Sequence, residues 1–249
     1  MKKVRKQKSN MTKFVEVLWS FLALYFVSLL AIGLPVYIYS VISKSSDKGS
    51  SISLLFGLFG YLLAIIVFVL YLKFGKKKEL DVFFLEGKDK FKKSLLGIGI
   101  GIGISLLIIL ISLLFGFRLE IVKDVNIGFI LLFLIGYICK GFGLGLLIDG
   151  YLLGSLKKNL NVYDAVFGSS LLWMLTLLGN SNSILVMINI ILIGAFSCLL
   201  VMRTNSVFIG CTLVGIIEFI NANVLGISLS TNEVVNKVFK VNASNLLGG

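Results

Sequence analysis

Three ionisable side chains stand inside otherwise apolar runs of this chain: Lys140, Asp149 and Glu218. A charge at the centre of a bilayer costs roughly 2.5–3.5 kcal/mol on the insertion scale, so each such residue needs a partner, water or a function. The chemistry open to them is narrow, because the 249 residues include no histidine. Ser/His/Asp and Cys/His nucleophilic sites are therefore excluded, and Ser169 and Ser170 read as interhelical hydrogen-bonding groups. Cys139, Cys198 and Cys211 all fall within apolar runs, and an odd count without short spacing gives neither a disulfide framework nor a zinc signature. They read as small apolar residues in helix contacts. No cofactor is expected.

The elements that must position these residues are membrane helices. The chain is 57% hydrophobic and 14% charged, with a mean hydropathy of +1.01, which no soluble domain carries. A span takes about 20 mostly apolar residues. Seven such runs lie near 16–43, 51–72, 94–117, 127–153, 162–179, 183–202 and 205–226. The fold class is all-α: a polytopic transmembrane helix bundle of about seven spans. The first run carries Pro35 and no small-residue cleavage site, so it reads as a retained helix rather than a signal peptide. Residues 1–15 form a basic cytoplasmic N-terminus, 16–226 the helical membrane domain and 227–249 a polar tail.

The formal charge of +12 is placed by topology. With the N-terminus inside, the inner segments hold 17 Lys or Arg and the outer ones 6, which puts the C-terminus outside. The basic clusters Lys2–Lys13 and Lys73–Lys93 then face anionic lipid. Nucleic acid is not expected as a partner, because no aromatic residues are interleaved as stacking platforms. The Lys88–Lys93 end of the larger loop is expected as a short amphipathic helix on the membrane surface. Gly97/Gly101 and Gly99/Gly103 on the third run, and Gly141/Gly145 and Gly150/Gly154 on the fourth, are small-xxx-small pairs that admit a neighbouring backbone.

The stretch Gly141-Phe-Gly-Leu-Gly-Leu-Leu-Ile-Asp-Gly-Tyr-Leu-Leu153 resembles the signature helix of the CPBP family, also called Abi, of CAAX proteases and bacteriocin-processing enzymes. The family writes it roughly as Gly-Phe-Gly-Glu-Glu-Leu-Leu-Phe-Arg-Gly-Tyr-Leu-Leu. The likeness runs through Ser170–Asn180 and Arg203–Val207, so that a CPBP-like core is expected over 138–226. It implies a metal-dependent endopeptidase fold, yet the family's glutamates fall on Leu144 and Gly145 and its arginine on Asp149. Its Phe-x-x-x-His falls on Trp173 and Leu177, and its final His-x-x-x-Asn/Asp on Val214 and Glu218. Such a site needs ligands plus a base, and Leu144, Gly145, Leu177 and Val214 supply neither.

The resemblance also implies that the fourth and seventh helices meet at the former metal region, where Lys140 and Glu218 are expected to pair. Asp149 is expected nearer the cytoplasmic end, within reach of Lys157, Lys158 or water in a wet crevice. The reading is a non-catalytic CPBP-like protein of a bacterial cytoplasmic membrane, in contact with membrane lipids. It binds a peptide, a lipid-linked substrate or a membrane-protein partner between the fourth, fifth and seventh helices, and the family context implies immunity, scaffold or regulatory roles. Two alternatives stay open: a permease subunit, and an active metalloendopeptidase with substitute ligands.

Overall fold

The computed structural model describes residues 2–43, 50–75, 83–85, 89–122, 125–177, 184–227 and 236–242. Seven helices dominate it: α1 Lys2–Ser43, α2 Ser51–Gly75, α3 Lys90–Leu114, α4 Ile127–Lys157, α5 Val162–Leu177, α6 Ile184–Thr204 and α7 Val207–Val224. Six of them are long and apolar enough to cross a membrane; α5 is described over 16 residues. This is a multi-span helical membrane protein.

Helix ends follow local chemistry. Asn126 caps α4 by accepting from the Phe129 N–H at 3.2 Å. Asn161 and Asp164 form a reciprocal box at the start of α5, with the Asp164 N–H donating to Asn161 Oδ1 at 2.8 Å and Asn161 Nδ2 to Asp164 Oδ2 at 2.7 Å. Asn126 Oδ1 and Asn161 Oδ1 each accept from one backbone amide that the helix leaves unpaired. At the far end of α6, Lys93 Nζ donates to the Thr204 carbonyl at 2.7 Å, a cation placed where the helix dipole favours it.

That contact overturns one expectation. Lys90–Lys93 are the first turn of α3, continuous with the span, rather than a separate helix on the membrane surface; Lys88 lies outside the described residues. The apolar run that follows simply extends the same hydrogen-bonded ladder, and Lys93 is held by α6 instead of by headgroups.

The bundle is built around α7, in which twelve of the first thirteen residues are buried. A helix that is apolar on every side belongs at the centre. Small residues let its neighbours close in. A side chain at Gly97 would meet Thr212 and the Ile209 carbonyl, and one at Gly101 would meet Ile216, so α3 lies directly against α7. Gly99 and Gly103 have open space instead; the pairs expected on both faces of α3 serve contact on one. On α4, Gly141 faces Cys211 and Gly215, and Gly145 faces Cys211. Gly136 and Gly143 receive Leu58 and Tyr61 of α2, and Gly60 of α2 receives the backbone of α1 at Ile32.

Two findings lie beyond the hydropathy pattern. β1 Arg118–Ile121 pairs antiparallel with β2 Phe239–Asn242, in the register Arg118↔Asn242, so part of the polar tail is tied back beside the end of α3. Asn223 Nδ2 donates to the Asn236 carbonyl at 3.0 Å and Asn236 Nδ2 to Ser51 Oγ at 2.7 Å. The ribbon thus joins α7 and α2 at that end of the bundle. At the other end, Phe83 and Phe84 are buried, and the Phe84 carbonyl accepts from the Val207 N–H at 3.0 Å, doing for α7 what Ser206 does not.

With the N-terminus inside, the ribbon end is outside. A membrane-impermeant thiol reagent is then expected to label Asn245→Cys in intact cells, once Cys139, Cys198 and Cys211 are replaced by Ala. Labelling only after lysis reverses the orientation.

Candidate functional site

Two polar constellations sit within the bundle, and each lies beside a π-helical turn: Leu146–Leu152 in α4 and Ile220–Val224 in α7. Such turns are rare and gather at functional sites, because the extra residue widens the helix and redirects the side chains that follow.

The first constellation joins α4 to α7. Lys140 Nζ lies 2.7 Å from Glu218 Oε2, and both side chains are mostly buried. A contact this short between opposite charges is of the charge-assisted kind. The ammonium also lies 5.8 Å from the centre of the Tyr137 ring, where the ring's negative face favours a cation. The packing of α4 against α7 through Gly141 and Gly215 is what brings these two residues within reach.

The second constellation surrounds Asp149, which is fully buried. Trp173 Nε1 of α5 donates to Oδ1 at 2.7 Å, Ser197 Oγ of α6 to Oδ2 at 2.5 Å, and Cys198 Sγ of α6 to Oδ1 at 3.4 Å. Hydrogen bonds to a charged acceptor are the shorter and stronger kind. Gly210 of α7 completes the cage, since a Cβ there would lie 2.6 Å from Asp149 Oδ2. This corrects the expectation of a residue reaching Lys157, Lys158 or water. The π turn carries Asp149 inward, toward α5 and α6, and among the described residues its partners are neutral donors. Ser170 is also corrected: its hydroxyl donates to the Phe167 carbonyl of its own helix at 2.9 Å rather than across helices.

The remaining positions are apolar. Leu144 and Val214 are buried in the core cluster, and Trp173 is 2% exposed. Leu177 ends α5, and its side chain lies outside the described residues. A side chain at Gly145 would meet Cys211 Sγ at 2.6 Å and the Cys211 Cα at 3.2 Å; the helices have closed over this position. Among the described residues no three His, Cys, Asp or Glu side chains gather at metal-binding range. Leu144, Gly145 and Val214 themselves offer no group that can ligate a metal.

Compared with known families, residues 126–220 match the model of the type II CAAX prenyl endopeptidase Rce1-like family. The matched segment is similar to that family. No curated protein and no solved structure matches the chain. The Rce1-like segment starts at the cap of α4 and ends in the π turn of α7, so it contains α5, α6 and both polar constellations.

Beside Glu218 the Rce1-like segment has a crevice walled by Trp173 of α5, by Ile190, Ile193 and Gly194 of α6, and by Val214, Ile217, Glu218 and Asn221 of α7. Its cavity volume is about 30 Å³, and it opens to the outside. It lies between α5, α6 and α7, where the sequence reading had a groove between α4, α5 and α7; Leu144 is not among its walls. Sequence reasoning missed Ser197, Cys198, Gly210 and Asn221. The only signal available was a run of small and polar residues inside a span, Gly194-Ala-Phe-Ser-Cys198, which is compatible with plain helix packing.

Proposed function

We propose that this Rce1-like membrane protein is non-catalytic and holds a membrane-borne ligand or partner in the crevice beside Glu218. The observation that carries the reading is the closure of α4 on α7 at Gly145. The position of the family's second glutamate cannot take a side chain without moving Cys211. The absence of histidine from the sequence agrees with it, because the remaining ligands of the family site have no substitute among Leu144, Leu177 and Val214. In place of a hydrated metal there is an ion pair on one side and an apolar crevice on the other. A concave, mostly apolar site with a few polar groups at one end is suited to binding rather than to hydrolysis.

The biological setting implied by the family is a bacterial cytoplasmic membrane. There a holding protein serves immunity, or scaffolds or regulates envelope proteins. Purification in mild detergent, followed by mass spectrometry of what stays bound, tests the reading. A lipid, peptide or membrane protein retained in fixed proportion supports it. Cleavage of a membrane peptide by the purified chain, at a rate that falls when Glu218 is replaced by Gln, defeats it.

A further inference from the structure

Asp149 is fully buried without a counter-ion. Among the described residues no salt bridge reaches it, and Lys140 is already held by Glu218. The titratable groups that face it are few. Cys198 of α6 donates to Oδ1, Cys211 of α7 lies within electrostatic range, and α5 brings only the indole of Trp173. Tyr151, two residues along α4, is turned to the Tyr71 hydroxyl of α2 at 3.2 Å, and no charged side chain of α1, α2 or α3 acts on Asp149. An isolated charge in hydrocarbon is costly, so something small and positive is expected beside it. The cage decides between a metal cation and a proton. A Cβ at Gly210 would lie 2.6 Å from Oδ2, 2.5 Å from Ser197 Oγ and 2.8 Å from Val201 Cγ2, which closes that side to anything the size of a methyl group. Oδ1 is covered by an N–H and an S–H, whose positive ends repel a cation placed there. A proton fits where neither a cation nor water does.

We infer that Asp149 is a reversible proton-binding site, which clamps α5 and α6 to α4 when ionised and eases them when protonated. The proton comes from a hydronium ion, leaving water, and bonds to Oδ2. The Ser197 hydroxyl donates to Oδ2 in the ionised form; it turns to accept from it in the acid form, and sends its own hydrogen to the Ile193 carbonyl one turn earlier. Ser28 and Thr204 make that same bond, to the Leu24 and Leu200 carbonyls at 2.8 Å each. Both states therefore leave Oδ2 and Ser197 paired. The difference falls on Oδ1, because the bonds from Trp173 and Cys198 to a neutral acceptor are about half as strong as to a charged one. The clamp is thus complete above the transition and weakens as pH falls through it. This holds whether or not the crevice beside Glu218 takes a ligand.

Trp173 reports the proton. The chain has two tryptophans, and the other, Trp19, lies 69% exposed on α1, so Trp19→Phe leaves one emitter. In lipid nanodiscs equilibrated at each pH, its emission is expected to move to shorter wavelength in a single one-proton step as pH falls. The indole excited state shifts electron density away from its nitrogen, and a carboxylate beside that nitrogen lowers its energy until the carboxylate is protonated. Asp149→Asn presents the same oxygen without the charge, so it removes the step and emits near the acid limit at every pH. Cys198→Ala and Cys211→Ala keep the step, and replacing sodium by choline leaves its midpoint unchanged. Should Asp149→Asn fail to fold, infrared difference spectra of the parent chain carrying isotope-labelled aspartate replace it. The carbonyl band of a water-excluded aspartic acid then rises in step with the emission change, and its absence overturns the assignment. Emission flat in pH, a step that survives in Asp149→Asn, a step lost with either cysteine, or a midpoint that moves with sodium overturns it equally.

Discussion

Replacing Asp149 by Ala is expected to destabilise the protein by about 2–5 kcal/mol, measured as loss of thermal stability in detergent. The carboxylate is the acceptor for donors on two other helices, Trp173 on α5 and Ser197 on α6. Each buried donor left without a partner costs about 1–3 kcal/mol. Asp149→Asn keeps an oxygen for the indole N–H, and the Ser197 hydroxyl can rotate to accept from the new amide, so its expected cost is less than half as large. The Trp173 emission of Trp19→Phe protein reports the same event, shifting when the indole loses its acceptor. If Asp149→Ala and Asp149→Asn melt together with the parent chain, the cage does not hold α5 and α6 to α4.

The second large effect belongs to Lys140 and Glu218. Removing one partner of a buried pair typically costs about 3–5 kcal/mol, whereas removing both can be nearly neutral. Lys140→Met and Glu218→Gln are therefore each expected to lower the melting temperature more than the double substitution does. The 2.7 Å separation makes strong coupling the expected result. Single effects that merely add leave the two residues energetically independent, and each charge then draws its stabilisation from Tyr137, lipid or a ligand.

What could be read without coordinates follows from how each feature is encoded. Spans are written in hydropathy, which is why the apolar runs fall on the helices to within a few residues. Gly97 and Gly141 were legible as packing positions, but which faces they serve depends on rotation about the helix axis, and Gly99 and Gly103 turn away from any neighbour. Asp149 shows the limit most clearly. Its place in the chain, eight residues before Lys157, argues for the membrane edge. A π turn cannot be seen in composition, and it is that turn, with Trp173, Ser197 and Gly210 arriving from three other helices, that makes an interior cage. The ribbon of β1 and β2 was hidden for a related reason: four residues of mixed polarity on each strand carry too little pattern to stand out. The loss of room at Gly145 is the opposite case, since the residue type is plain in the sequence and only its closeness to Cys211 explains why the position stays empty.

The proposal that packing stands in place of metal chemistry in the Rce1-like segment is tested most directly by metal content. Protein purified with zinc present and then dialysed against a weak chelator is expected to keep far less than one zinc per chain, with no change on Glu218→Gln. One zinc per chain that survives dialysis and disappears in the Glu218→Gln protein would contradict the account.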